Sequence, residues 1–183
     1  MDNFKKIFNY NQENGIFLGL FLASGLIKDS IIKICTINKD INMFIKYWFN
    51  KYSIETKTEF TTKQFETTCS NEILENFLIN FTNNIIDENH TNEFIKGLLN
   101  GYFSNNCVIT GNSVWIQASC EKLITYIGSL CLKIGVIGEF DKTIINDKTI
   151  YFFEIKDKFI KVFTREILLL NSYKRNRLFD ICQ

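Results

Sequence analysis

Two apolar helical runs seeded with small residues constrain this chain more than any other feature. The first is Gly15-Ile-Phe-Leu-Gly-Leu-Phe-Leu-Ala-Ser-Gly25. The second is Phe94-Ile-Lys-Gly-Leu-Leu-Asn-Gly-Tyr-Phe-Ser-Asn-Asn-Cys107. In each, two small residues stand four apart on one helical face: Gly19 with Ala23, and Gly97 with Gly101. That spacing lets two helices approach backbone to backbone. Neither run reaches the roughly 20 apolar residues that cross a bilayer, so no membrane span is expected. Each run ends in a short polar tip before a strand-like segment.

The rest of the chain falls into order around these runs. Met1 to Asn11 is a lead-in, with Phe4, Ile7 and Phe8 on one side of a short amphipathic turn. Asn11 or Asn14 caps the first helix, which runs to about Ser24, and Gly25 stops it in the manner of a helix C-terminus. Leu26 to Ile37 reads as a hairpin broken at Lys28-Asp29-Ser30, with Ile31 to Ile37 as its second strand. Asn38 caps a helix from Lys39 to about Asn50, with Ile41, Phe44, Ile45 and Trp48 at helical spacing. Ser53 to Phe60 and Lys63 to Cys69 form a second hairpin. Ser70 then caps a helix that buries Ile73, Leu74, Phe77, Leu78 and Phe81.

The same order repeats after a polar stretch. The first half, about 12–82, reads αββαββα; residues 83–91 are a linker; the second half runs from about 92 to 170. It comprises a helix to Ser104, a hairpin around Gly111-Asn112, a helix from Glu121 to Leu132 with Leu123 among its inward residues, a hairpin of Val136–Thr143 and Thr149–Lys156, and a helix from Phe159 to Leu170. Aligning Gly19 with Gly101 sets Ser24 on Asn106 and Gly25 on Cys107. Asp29-Ser30-Ile31-Ile32 then corresponds to Asn112-Ser113-Val114-Trp115, and Gln64-Phe65-Glu66 to Phe152-Phe153-Glu154. This predicts an α+β fold, a single domain over residues 1–183 built from an internal duplication, acting as a monomer with internal pseudo-dimer symmetry.

Composition narrows the function. The net charge is only +1, where a dedicated nucleic-acid binder is usually basic. The cysteines at 35, 69, 107, 120, 131 and 182 form no CxxC pair, and His90 is the lone histidine, so no zinc site is expected. With no signal peptide, the expectation is an intracellular protein whose thiols are reduced, small core residues. His90 falls in the linker and reads as a surface residue. Lys174-Arg-Asn-Arg177 reads as a loose, solvated basic tail, with contact to DNA as the alternative.

At this point the two runs resemble the motifs of the LAGLIDADG homing endonucleases, in particular the intein-borne type. Phe17-Leu-Gly-Leu-Phe-Leu-Ala-Ser-Gly25 is similar to the first motif, and Leu98-Leu-Asn-Gly-Tyr-Phe-Ser-Asn-Asn-Cys107 to the second. The resemblance continues to Leu132-Lys-Ile-Gly-Val136 and spans roughly residues 12–170. It implies two pseudo-symmetric halves, a central pair of motif helices meeting along Gly19, Ala23, Gly97 and Gly101, and antiparallel, saddle-shaped sheets over the major groove of double-stranded DNA. It also implies one carboxylate at each helix tip, holding Mg²⁺ for phosphodiester cleavage.

The chain departs from the family at those tips. Ser24 and Asn106 stand where the acidic residues belong, so the metal ligands are lost and no cofactor is expected. The reading is a degenerate domain that binds double-stranded DNA without cutting it. Strand alternation offers Lys33, Lys57, Gln64, Trp115, Gln117 and Lys156, with Thr68, for phosphate and base-edge contacts. A register slip of one residue would instead put Trp115 in the core. A structural or protein-interaction relic without DNA affinity is the alternative, and an active metal-dependent endonuclease with an atypical site is a third. No intein splicing block is evident.

Overall fold

The computed structural model describes residues 9–85 and 90–183, among which lie seven helices and eight strands. The lead-in turn at Phe4, Ile7 and Phe8, and residues 86–89 of the linker, lie outside this range. The first half comprises α1 (Gln12–Ser24), β1 (Gly25–Lys28), β2 (Ile31–Thr36), α2 (Lys39–Lys51), β3 (Lys57–Thr61), β4 (Gln64–Cys69) and α3 (Glu72–Asn83). The second comprises α4 (Asn92–Asn106), β5 (Val108–Thr110), β6 (Ser113–Ala118), α5 (Glu121–Lys133), β7 (Glu139–Ile145), β8 (Lys148–Lys156) and α6 (Lys158–Glu166). A further helix, α7 (Ser172–Cys182), follows. The fold is α+β, and no described helix is long and apolar enough to cross a membrane.

α1 and α4 form the centre, sharing the most extensive contact between any two elements. Every residue of α1 from Asn14 to Phe21 is buried, as expected of a helix apolar on all sides. What lets the two helices touch is the absence of side chains at Gly15, Gly19, Gly97 and Gly101. A Cβ at Gly19 would meet the backbone of Leu98 and Tyr102, and one at Gly101 the backbone of Ile16 and Leu20. Gly15 faces Phe94 and Leu98 in the same way, and Gly97 faces Gln12. The contacts are mutual at a constant offset of 82 residues, as a pseudo-two-fold axis between the helices requires. Ala23 is half-buried one turn beyond this seam, and its counterpart at that offset is Asn105.

Each half lays one antiparallel four-stranded sheet beside this pair, in the orders β1-β2-β4-β3 and β5-β6-β8-β7. Ile32, Ile34 and Thr67 of the first sheet, and Val114, Ile116, Phe153 and Ile155 of the second, are buried against the helices. Alternate residues face away. The two-residue turns Asp29-Ser30 and Gly111-Asn112 are equivalent; Asp29, Ser30 and Gly111 all have positive φ. Ile32 therefore matches Val114, and Trp115 matches Lys33 on the outer face. This corrects the strand alignment by one residue. It corrects β4 against β8 by two, because Cys35 pairs with Glu66 while Gln117 pairs with Phe152.

Several boundaries also differ from expectation. Gly25 is extended rather than left-handed, because α1 passes directly into β1; a Cβ there would strike the Phe21 ring. The cap of α3 is Asn71, one residue beyond Ser70, and Ile73 is exposed. Leu123 is only partly buried. β2 stops at Thr36 and α6 at Glu166, while the seventh strand begins at Glu139. The segment 174–177 lies inside α7, which Asn171 caps, and is no loose tail. His90 sits among the rings of Tyr10, Phe81 and Phe94 rather than on an open surface.

Candidate nucleic-acid interface

Two parts of the structure hold the residues singled out from the sequence: the tip where α1 and α4 end, and the sheet faces turned away from the helices. At the tip, each helix ends beside the second strand of its own sheet. The Ser24 hydroxyl donates to Cys35 O at 2.7 Å, and Asn106 Nδ2 donates to Gln117 O at 3.0 Å. These two bonds are counterparts at the 82-residue offset.

The halves are then tied across the axis by Asn105. Its Nδ2 donates to Ser24 Oγ at 2.6 Å and to Cys35 O at 3.0 Å, while its Oδ1 accepts from Thr36 Oγ1 at 2.9 Å. Asn105 thus fills from the second half the space that Ala23 leaves small in the first. Behind it, Lys174 Nζ of α7 donates to Asn105 O at 3.2 Å. Burial pulls the Lys174 ammonium below the usual lysine range.

A divalent cation of the Mg²⁺ kind takes carboxylate oxygens and water. The tip offers a hydroxyl and two amides, all engaged with backbone or with one another, and a lysine ammonium close by. Among the described residues no group of three or more His, Cys, Asp or Glu comes together. The residues present do not fit the metal.

On the outer sheet faces, Lys33, Lys57, Gln64, Trp115, Gln117 and Lys156 all point away from the helices. The structure divides them between the two sheets, and binds the lysines to neighbours. Lys33 Nζ lies 2.8 Å from Glu66 Oε2, and Lys57 Nζ 2.5 Å from Glu59 Oε1. Lys156 Nζ lies between Glu139 Oε2 at 2.9 Å and Glu154 Oε2 at 3.0 Å. Gln64 Nε2 donates to Glu66 Oε1 at 3.0 Å, so Glu66 gathers Lys33, Gln64 and Thr61. The Lys33 ammonium and these hydrogen bonds hold the Glu66 carboxyl down at about 2. Hydrogen bonds to Glu139 and Glu154 raise Lys156 above the usual lysine range. Trp115 is half-buried beside Phe152, and the Gln117 side chain is exposed.

No protein-family model and no curated protein matches the sequence. Solved structures do match in shape. A mesophilic variant of the homing endonuclease I-DmoI superposes with a TM-score of 0.71 at 13% identity, covering 87% of this chain and 92% of that one. I-DmoI in complex with DNA and Ca gives 0.69 at 16% identity, covering 87% and 91%. The N-terminal LAGLIDADG domain of DUF199/WhiA gives 0.65 at 15% identity, covering 87% and 82%. The chain has a LAGLIDADG-type fold. At these identities the likeness lies in the backbone. Asn105, Lys174 and Gly15 are the tip and seam residues that sequence reasoning missed. Gly15 was within reach, since the offset that sets Gly19 on Gly101 also sets Gly15 on Gly97. The sequence marks Lys174 only as part of a basic run and does not place it at the tip, some 70 residues from its partner.

Proposed function

We propose that this chain is a LAGLIDADG-fold module that binds double-stranded DNA and does not cleave it. The observation that carries the second half of this reading is the tip. Ser24 and Asn106 each donate to a strand carbonyl, and Asn105 ties Ser24 and Cys35 across the axis, so that among the described residues the tip presents a hydroxyl and amides rather than carboxylates to a cation. Without a bound metal, nothing there activates water or stabilises a leaving oxygen. The fold it shares with I-DmoI, a protein crystallised with DNA, supports the first half. So do the outer-face side chains Gln64, Thr68 and Trp115, at half-buried strand positions, and the exposed Gln117, which offer hydrogen bonds and stacking to base edges.

Fluorescence anisotropy with a duplex, measured across a salt series, tests binding. Affinity that falls with rising salt supports the reading, and no binding even at low salt removes it. Incubation with Mg²⁺ or Mn²⁺ and a randomised duplex library tests the rest. Specific double-strand cleavage would overturn the interpretation of Ser24 and Asn106.

One observation favours a second reading, a protein-interaction or structural relic without DNA affinity. Lys33, Lys57 and Lys156 are all paired with glutamates, so the face offers phosphate little unopposed charge. The low-salt arm of the anisotropy experiment separates the two.

A further inference from the structure

The C-termini of α1 and α4 meet at the tip, and the C-terminal end of a helix carries partial negative charge. A cation placed there meets that field, and one at the tip belongs to the chain itself. Lys174 Nζ donates to the carbonyl of Asn105, in the last turn of α4, at 3.2 Å. No carboxylate pairs with Lys174 among the described residues. A half-buried ammonium without a carboxylate is costly unless dipoles compensate it, and the helix end supplies them.

Lys174 is also held in place. The Asn171 side chain caps α7 by accepting from Lys174 N at 3.2 Å. Ser172 Oγ donates to Asp40 Oδ2 at 2.6 Å, tying the start of α7 to the start of α2. Leu170 N donates to Ser104 Oγ at 2.8 Å, tying the approach to α4.

We propose that Lys174 is the resident cation of the helix-pair tip, supplying the positive charge that a divalent ion would otherwise bring and excluding such an ion by like charge. This rests on the reading that the tip holds no metal.

The test compares Mn²⁺ binding, followed by electron paramagnetic resonance, in Ser24→Asp/Asn106→Asp with and without Lys174→Met. Restoring both carboxylates while Lys174 stays gives weak binding, and removing Lys174 tightens it about tenfold or more. Equal affinities, tighter binding with Lys174 present, or no binding in either variant overturn the role of Lys174. Stoichiometric Mn²⁺ binding by the wild type would instead overturn the metal-free reading of the tip. A second measurement needs no variant at the tips. The wild-type protein is expected to show a slowly exchanging side-chain ammonium resonance that is lost in Lys174→Met and unmoved by Mg²⁺. If that resonance is missing, or shifts with Mg²⁺, the proposal fails whatever the fate of the triple variant.

Discussion

Replacing Gly19 by alanine puts one methyl group where the centre of the fold has no room. The new Cβ would lie 2.8 Å from Tyr102 N and 2.9 Å from Leu98 C, and closer still to Leu98 O. All three are backbone atoms of a buried helix, so no side chain can swing aside. Relief requires α1 and α4 to separate by roughly 1 Å, and a gap of that size forfeits up to half the dispersion well of the atoms across it. Overpacking a core in this way costs about 1–3 kcal/mol and occasionally more, and the rigid partners place Gly19→Ala at about 3 kcal/mol or above. Urea unfolding followed by tryptophan fluorescence measures it, with Trp48 stacked on Phe17 of α1 as the reporter. The pseudo-symmetry adds a sharper condition. A Cβ at Gly101 meets Leu20 N and Ile16 C at the same 2.8 and 2.9 Å, so Gly101→Ala should cost the same. The double variant should cost less than the sum, because helices already pushed apart accommodate the second methyl more cheaply. Gly111→Ala serves as the control: its Cβ meets open space and only the left-handed backbone opposes it, at about 1–2 kcal/mol. A Gly19→Ala protein as stable as the wild type would refute the backbone-contact account of the seam.

Other positions give independent tests. Asn14 is buried, and its Oδ1 accepts from Trp48 Nε1 at 2.9 Å and from Tyr52 OH at 2.8 Å; Asn14→Leu removes that shared acceptor and should cost about 2–4 kcal/mol in the same unfolding assay. Glu66→Gln frees Lys33, so duplex affinity should rise and the salt slope steepen by about one phosphate contact in an anisotropy titration. The same variant reads out in acid. Glu66 titrates near 2 in the folded protein, below its unfolded value, so its contribution is present above the ordinary carboxylate range and is lost as pH falls towards 2. Glu66→Gln should therefore flatten the acid limb of a stability–pH curve. A thiol reagent at pH 8 should label Cys120 rapidly and Cys69, Cys107 and Cys131 only on unfolding, because the last three are buried and burial raises their thiol pKa values.

The sequence made the plan of the fold legible because its strongest signals are local. Gly97 and Gly101 stand four apart, polar breaks at Asp29-Ser30 and Gly111-Asn112 mark turns, and Ile41, Ile45 and Trp48 mark the buried stripe of α2. Register was less legible, since a two-residue turn can be placed one residue either way on side-chain pattern alone. The fold settles it through burial: Val114 lies inside at 0% exposure and Trp115 does not. The tip was legible only as a loss. Ser24 and Asn106 stand out as uncharged, but the groups around them, Asn105 and Lys174, come from a residue aligned with an alanine and from α7. Ion pairs such as Lys33–Glu66 were out of reach because they join strands whose order the sequence does not state.

These ion pairs bear on how any DNA could be held. Lys28, Lys33, Lys57, Lys148 and Lys156 share the outer sheet faces with Glu59, Glu66, Glu139, Asp141 and Glu154, so the two signs cancel. A phosphate approaching Lys33 must displace a carboxylate already 2.8 Å away, and the displaced Glu66 then repels the same phosphate. Exchange of that kind yields little Coulombic gain; Gln64 and Thr68 are likewise engaged, with Glu66 Oε1 and Lys57 O, whereas the exposed Gln117 amide can turn to a base edge without displacing a carboxylate. If the chain binds DNA as proposed, affinity on this face comes mainly from shape and base-edge hydrogen bonds, with a shallow dependence on salt. Selectivity follows from the same balance. Where phosphate attraction is weak, binding to arbitrary sequence is weak as well, and a modest set of base contacts suffices to set one site above the rest.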